Sequence, residues 1–144
     1  MFGGAKYRNK KTSVGSKKFD SRLEAKHFLE LVARQKAGEI HSLALQTKIQ
    51  LTDKPKGRQR SYIADFVFYD NALASWVVMD SKGMKVEPYQ TKRDWLLDKF
   101  CGFVFIERTR TEQKTYIPYG EKPILFGYNA PQKIAGAQWI GKRF

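Results

Sequence analysis

Four side chains in this sequence have the types and the order to do chemistry together. Asp80 and Lys82 close an apolar, β-branched run, S-W-V-V-M-D-S-K-G, over residues 75–83. The run has strand propensity and ends at a glycine. Alternation along a strand places Asp80 and Lys82 on one face, with Val78 behind them. Asp65 interrupts a second run, S-Y-I-A-D-F-V-F-Y, at its centre, on the face of Ile63 and Val67. Charges in such places are costly to bury unless they are needed. If the two runs pair antiparallel, both carboxylates come within reach of one ion, and Glu24 of a preceding helix can supply a third. Oxygen-only ligands of this kind suit Mg²⁺ or Mn²⁺ rather than zinc. Lys82 would point into the same pocket, to orient or deprotonate an attacking water or to stabilise charge developing on a phosphate. An ion, a lysine and a basic surface together point to phosphodiester hydrolysis.

Each residue also has a plainer reading. Ser21-Arg22-Leu23-Glu24 is a capping box, S-x-x-E, in which Glu24 only bonds the Ser21 backbone. Asp80 and Lys82 could be an ion pair at a strand end, since D-x-K alone is common. Asp65 is harder to explain away, because Asp is disfavoured inside strands. Gln46, in L-A-L-Q, either lines the pocket or is an exposed strand residue. His27 and His41 lack metal-ligand spacing and are expected at the surface.

The elements that must position these groups follow from pattern. Ser21 to Ala37 reads as a helix capped by Ser21 and ended by Gly38, with Ala25, Phe28, Leu29, Leu31, Val32 and Ala33 as its apolar face. On it, Glu24 lies on or beside the buried face. Leu43 to Leu51 reads as a strand with Leu43, Leu45, Ile49 and Leu51 in phase. Thr52–Arg60, with Pro55 and Gly57, reads as a hairpin tip. Ser61 to Tyr69 and Ser75 to Lys82 are the next strands, separated by the turn signal Asp70-Asn71. A second helix begins at Pro88 or Thr91, ends near Phe100, and packs through Trp95, Leu96 and Phe100. Phe103 to Thr109 is a fourth strand. The order is α-β-β-β-α-β, an α/β chain with a mixed sheet flanked by helices. Residues 110–144 form an irregular extension of turns and short strands.

At 144 residues a single domain with a real core is expected. No run of about 18 apolar residues suggests a membrane span, and the first residues lack the apolar segment of a secretory signal. The only cysteine, Cys101, rules out a disulfide framework and a cysteine-based zinc site, and suits a reducing cytoplasm. The net charge of +13 points to a polyanionic partner, nucleic acid first. It is concentrated in a basic arm or loop, residues 1–18, with Lys6, Arg8, Lys10, Lys11, Lys17 and Lys18 and no acid. A second cluster is Lys48, Lys54, Lys56, Arg58 and Arg60, opposed only by Asp53. Lys92 and Gln90 on the second helix either reach a phosphate or are solvated.

On K-Y-R-N-K-K, F-D-S-R-L-E-A, G-E-I-H-S-L-A-L-Q, Y-I-A-D-F-V-F-Y, V-V-M-D-S-K-G and K-R-D-W-L-L, the chain resembles the PD-(D/E)XK nuclease superfamily over about residues 6–108. More closely, it is similar to small phage-type nuclease-like, junction-resolvase-like proteins. The resemblance implies a restriction-endonuclease-like fold, a phage-infected or prophage-bearing host cytoplasm, and Mg²⁺-dependent DNA cleavage. It implies Asp65 and Asp80 as metal ligands with the Ser81 backbone carbonyl, Glu24 as an additional acid, directly or through water, and Lys82 as the catalytic lysine. Two departures are Ala64 where the superfamily has proline, and Asp80 as an Asp rather than Glu. The leading expectation is an endonuclease selective for branched or Holliday-junction DNA, as a homodimer if it makes two symmetric cuts. The competing classes are a DNA-binding protein that keeps the fold without turnover, and a sequence- or mismatch-directed nicking enzyme.

Overall fold

The structure, a computed structural model, describes residues 12–14, 17–19, 21–53, 57–81, 87–126 and 138–140. The elements in chain order are β1 (Thr12–Val14), β2 (Lys17–Phe19), α1 (Arg22–Lys36), β3 (Ile40–Gln50), β4 (Ser61–Asp70), β5 (Ser75–Ser81), α2 (Glu87–Lys99), β6 (Phe103–Arg108), β7 (Gln113–Tyr116) and β8 (Gln138–Trp139). Six strands form one mixed sheet in the order β7-β6-β5-β4-β3-β8. Only β5 and β6 are parallel, joined by the crossover helix α2.

Alternation within β5 and β6 separates two cores. Val77, Met79 and Ile106 pack with Phe28 and Leu31 of α1. Val78, Phe103 and Phe105 pack with Leu96 of α2. The helices therefore cover opposite faces, which explains why the central strands are apolar on both sides. The expected α/β class, element order and mixed sheet are all present. Among the described residues no helix is long and apolar enough to cross a membrane.

The helix ends follow from local chemistry. Ser21 caps α1 by accepting from the Glu24 N–H at 3.1 Å. At the other end Gly38, at φ +79°, lets the Glu39 N–H reach the Arg34 carbonyl at 2.9 Å. The strand β4 ends where Asp70 takes the N–H groups of Ala72 and Leu73 at 2.9 and 3.0 Å, and so closes the turn into β5.

Three expectations are corrected. Part of the basic arm is ordered: β1 and β2 form an antiparallel hairpin. Phe19, 3% exposed, anchors it against Phe28, with ring centroids 4.8 Å apart. The four apolar residues of β3 are not in phase. Leu43 and Leu45 join the α1 core, whereas Ile49 and Leu51 join the α2 core. Gln46 lies between them at φ +51°, and one left-handed residue shifts the alternation by one. The strand β4 changes face at the same level, with Tyr62 and Ala64 on the α2 side and Phe66 and Phe68 on the α1 side. Accordingly, Ile63 is exposed while Val67 is buried, so the two do not share an apolar face around Asp65.

Past β7 the chain folds back beside the α2–β6 turn, where Cys101 and Ile124 form a parallel bridge. A Cβ on Gly102 would lie 2.8 Å from Ile124 Cγ2, so the turn and the tail fit only with glycine there. The short β8, one of the short strands expected in the extension, covers the outer edge of β3, a place its sequence does not specify.

Candidate active site

The face change in β3 and β4 creates a place where an acid can sit in mid-strand. The pairs Leu45↔Phe66 and Thr47↔Ala64 set Gln46 opposite Asp65. The β4–β5 ladder ends at Phe66↔Met79, so the next level holds Asp65 and Asp80. Asp80 in turn pairs with Glu107 on β6. A polar row, Gln46, Asp65, Asp80 and Glu107, thus crosses four strands at one level of an otherwise apolar sheet.

The two aspartates are interlocked through the backbone. The Asp65 N–H donates to Asp80 Oδ1 at 3.1 Å, and the Ser81 N–H donates to Asp65 Oδ2 at 2.9 Å. Asp80 is 0% exposed and Asp65 9%. A buried carboxylate is tolerable when N–H groups point at it, and these bonds also fix the rotamers. The ladder opens here because the acids replace it.

Glu24 reaches the row from the first turn of α1. It is 5% exposed, and its Oε2 accepts from Gln46 Nε2 at 3.0 Å. The cap bond uses the Glu24 backbone, while its carboxylate engages Gln46. Glu24 therefore joins the row at its Gln46 end, from the α1 side of the sheet. Among the described residues no three His, Cys, Asp or Glu side chains converge closely enough to hold an ion between them.

At the other end, Glu107 is held by the Tyr89 hydroxyl, which donates to its Oε2 at 2.7 Å, and by Arg93 Nη1 at 3.2 Å. The Arg93 guanidinium also lies 4.7 Å over the Tyr116 ring. Burial raises the Tyr89 pKa well above the usual phenol range, and the bond to Glu107 adds to this, so the hydroxyl remains a donor. Sequence reasoning passed over Glu107. The signal was there: F-V-F-I-E-R is a second apolar strand ending in an acid, beside the one ending in Asp80.

His27 is a further correction. It is 2% exposed rather than on the surface, and its Nδ1 lies 2.5 Å from Ser81 Oγ. Its position on α1 one turn after Glu24, on the stripe with Phe28 and Leu31, was the missed signal. Burial lowers its pKa from 6.5 to about 4, with the Arg108 and Lys26 charges in the same direction and Glu30 opposed. A neutral imidazole thus holds the side chain of Ser81, whose N–H holds Asp65. His41 is half-buried and stacks on Tyr69, with centroids 4.8 Å apart.

Lys82 and the arm residues Lys6, Arg8, Lys10 and Lys11 lie outside the described residues. So do Lys54, Lys56 and the side chains of Lys17 and Lys18, which are part of β2. Lys48, Arg58 and Arg60 are exposed on the β3–β4 hairpin, and Lys92 is half-buried on α2.

The donor set fits a hard divalent ion. Asp65, Asp80 and the backbone carbonyl of Ser81 are oxygens, and Mg²⁺ commonly binds one or two carboxylates and completes its shell with water and substrate phosphate. Two buried polar groups lie near the row, Thr47 Oγ1 and the Tyr62 hydroxyl, and neither makes a hydrogen bond among the described residues. Water or a ligand is the ordinary partner for such groups.

The family described as "Protein of unknown function (DUF1064)" matches residues 4–112. The chain belongs to this family. The matched span holds every member of the polar row, together with α1 and α2; β7, β8 and the tail lie largely outside it. No curated protein and no solved structure matches the chain.

Proposed function

We propose that this DUF1064 chain is a Mg²⁺-dependent endodeoxyribonuclease of restriction-endonuclease-like, PD-(D/E)XK architecture, with Mn²⁺ able to substitute. The observation that carries the reading is the interlocked pair Asp65 and Asp80, buried at one level of two adjacent strands and oriented by each other's backbone. Two carboxylates held side by side by backbone N–H groups form a concentrated negative site suited to a divalent cation. Asp65, Asp80 and the Ser81 carbonyl would hold the ion, which when bound activates water and offsets charge on the phosphate. The protein's own part is positioning. His27 and Asp65 fix Ser81 from its two sides, and Gln46 holds the Glu24 carboxylate at its end of the row. Lys82, two residues beyond Asp80, is the proposed catalytic lysine. We favour branched DNA as substrate, because the chain carries a strongly basic charge that suits a backbone-dominated contact.

The second reading, a DNA-binding protein without turnover, is favoured by Glu24 engaging Gln46 and by the absence of a third converging acid among the described residues. One assay separates them. Duplex, branched and single-stranded DNA are incubated with the protein and Mg²⁺, Mn²⁺ or EDTA, beside Asp80→Asn and Lys82→Ala. Metal-dependent cleavage by the wild type, lost in both variants, is expected. Binding without cleavage of any substrate would exclude the enzyme, and cleavage retained by Asp80→Asn would exclude this site.

A further inference from the structure

A groove of about 560 Å³ lies beside the polar row, lined by Leu23 of α1 and by Thr109, Arg110, Thr111 and Glu112 of the β6–β7 turn. Its place follows from register. Ser81 pairs with Arg108, so the turn after Arg108 begins beside the end of β5, one residue past Asp80. Leu23 precedes Glu24. The groove therefore opens at the carboxyl ends of the two parallel strands, where α/β sheets ordinarily bind ligands. The turn is braced: the Thr109 N–H donates to the Glu112 carbonyl at 2.9 Å, and the Glu112 N–H to Thr109 Oγ1 at 3.0 Å.

The charges around it are arranged in one direction. Arg22, Lys26 and Glu30 lie at successive turns of α1 and form one stripe. Glu30 is ion-paired to Arg108 of β6 at 2.6 Å, which turns this stripe toward the end of β6. Arg22, two turns before Glu30, is thereby carried toward Thr109–Glu112. Arg22, Lys26 and Arg110 are exposed and make no ion pair among the described residues. Arg22 is also the first residue of its helix, where the helix dipole disfavours a cation, so helix stability does not account for it. Glu112, the acid in the groove, is outnumbered.

On the other side of the aspartates, the β3–β4 ladder continues to Gln50↔Ser61 after the β4–β5 ladder has ended. The hairpin projects about 13 Å past Asp65, at 3.3 Å per residue, and carries the exposed Arg58 and Arg60 near its tip. Unpaired cations thus stand on both sides of the carboxylate row.

We propose that one DNA backbone crosses the end of the sheet, seated in the Leu23–Glu112 groove by Arg22 and Arg110, passing Asp65 and Asp80, and leaving along the hairpin by Arg58 and Arg60. This rests on the nuclease reading for the identity of the polyanion, but its test does not require cleavage. Fluorescein-labelled duplex and branched DNA are titrated with the full chain in EDTA at several salt concentrations, reading anisotropy. Arg22→Ala/Arg110→Ala is expected to bind on the order of 50-fold more weakly at 0.1 M salt, and to lose about two units of the slope of log K against log salt, as for two lost phosphate contacts. Lys36→Ala removes an exposed cation at the far end of α1 and should bind as the wild type does. If the double variant lowers the melting temperature, Arg110→Ala alone should lose about one unit of slope. Variants that match Lys36→Ala would overturn the path, whatever the cleavage result. Wild-type protein that binds no DNA would overturn it too, while the Mg²⁺ cleavage assay judges the nuclease reading separately.

Discussion

Two acids of one strand, five residues apart and both buried, are explained in different ways. Asp70, 4% exposed, ends β4. Its carboxylate meets the Arg34 guanidinium at 2.9 Å and caps the turn through Ala72 and Leu73. Burial alone would raise its pKa, but the Leu73 N–H and the Arg34 guanidinium outweigh this and hold it below the usual carboxylate range. Asp65 sits in mid-strand, bonded to the backbone of Ser81, with a second carboxylate on the next strand. Asp70 stabilises the fold through its bonds to an arginine and a turn. Asp65 and Asp80 bring two carboxylates together at one level of neighbouring strands, each accepting a backbone N–H from the other strand. Burial of an acid is therefore a weak signal by itself; what surrounds the acid separates the two cases.

The sharpest way to break this comparison is to neutralise each acid. Asp65→Asn or Asp80→Asn should lower DNA cleavage by at least about a thousandfold, near 4 kcal/mol of transition-state stabilisation, with little loss in melting temperature. Asp70→Ala should do the reverse. It removes a buried carboxylate that holds a guanidinium and two N–H groups, and should cost about 3 kcal/mol in urea unfolding, less than a fully buried pair because Arg34 is partly exposed. Cleavage per folded molecule should be unchanged. If Asp70→Ala abolished cleavage without loss of stability, the distinction between the two acids would fail.

A smaller effect separates the two regions along the pH axis. The pKa of His27 is lowered to about 4, so the unfolded chain binds a proton that the folded chain refuses between pH 6.5 and 4. Stability is whole above pH 6.5 and falls as pH drops through that window, by about 2 kcal/mol, then levels. Asp70, whose folded pKa is depressed, contributes above its unfolded value and loses that contribution only at lower pH, as it protonates in the folded state. His27→Asn should flatten the upper limb of a stability–pH curve, and Asp70→Asn the lower one. Urea midpoints from pH 7 to pH 3 check both.

Much of the positioning was legible because it is written in local chemistry. Ser21 and Gly38 bracket α1, Asp70-Asn71 marks the turn, and the aromatic and β-branched runs give β4, β5 and β6. Asp65, Asp80 and Gln46 stood out as polar residues in apolar strands, and the structure aligns them. What escaped the sequence depends on contacts between distant segments. Nothing in L-A-L-Q announces that Gln46 adopts φ +51° and turns both strands over, since Gly or Asn is the usual left-handed residue. The β1–β2 hairpin rests on Phe19 finding Phe28, and the two residues of β8 have no pattern of their own. Glu107 and His27 were accessible by periodicity: one lies in phase with Phe105 on β6, the other in the buried stripe of α1.

The smallest effect tests the residue that belongs to both explanations at once. Glu24 gives its backbone N–H to the Ser21 cap and its carboxylate to Gln46. Ser21→Ala should cost about 1 kcal/mol, as loss of an N-cap does, and should leave cleavage by the folded protein unchanged. Glu24→Gln keeps the cap bond intact, since that bond uses only the backbone. It should leave the melting temperature within a degree or two but reduce cleavage, because the charge at the Gln46 end of the row is gone while the contact to Gln46 can still form. Gln46→Ala should then mimic part of that loss by releasing the carboxylate. If Glu24→Gln instead lowered stability by as much as Ser21→Ala and left cleavage whole, Glu24 would belong with Asp70 among the acids that build the fold, and the site would narrow to Asp65 and Asp80.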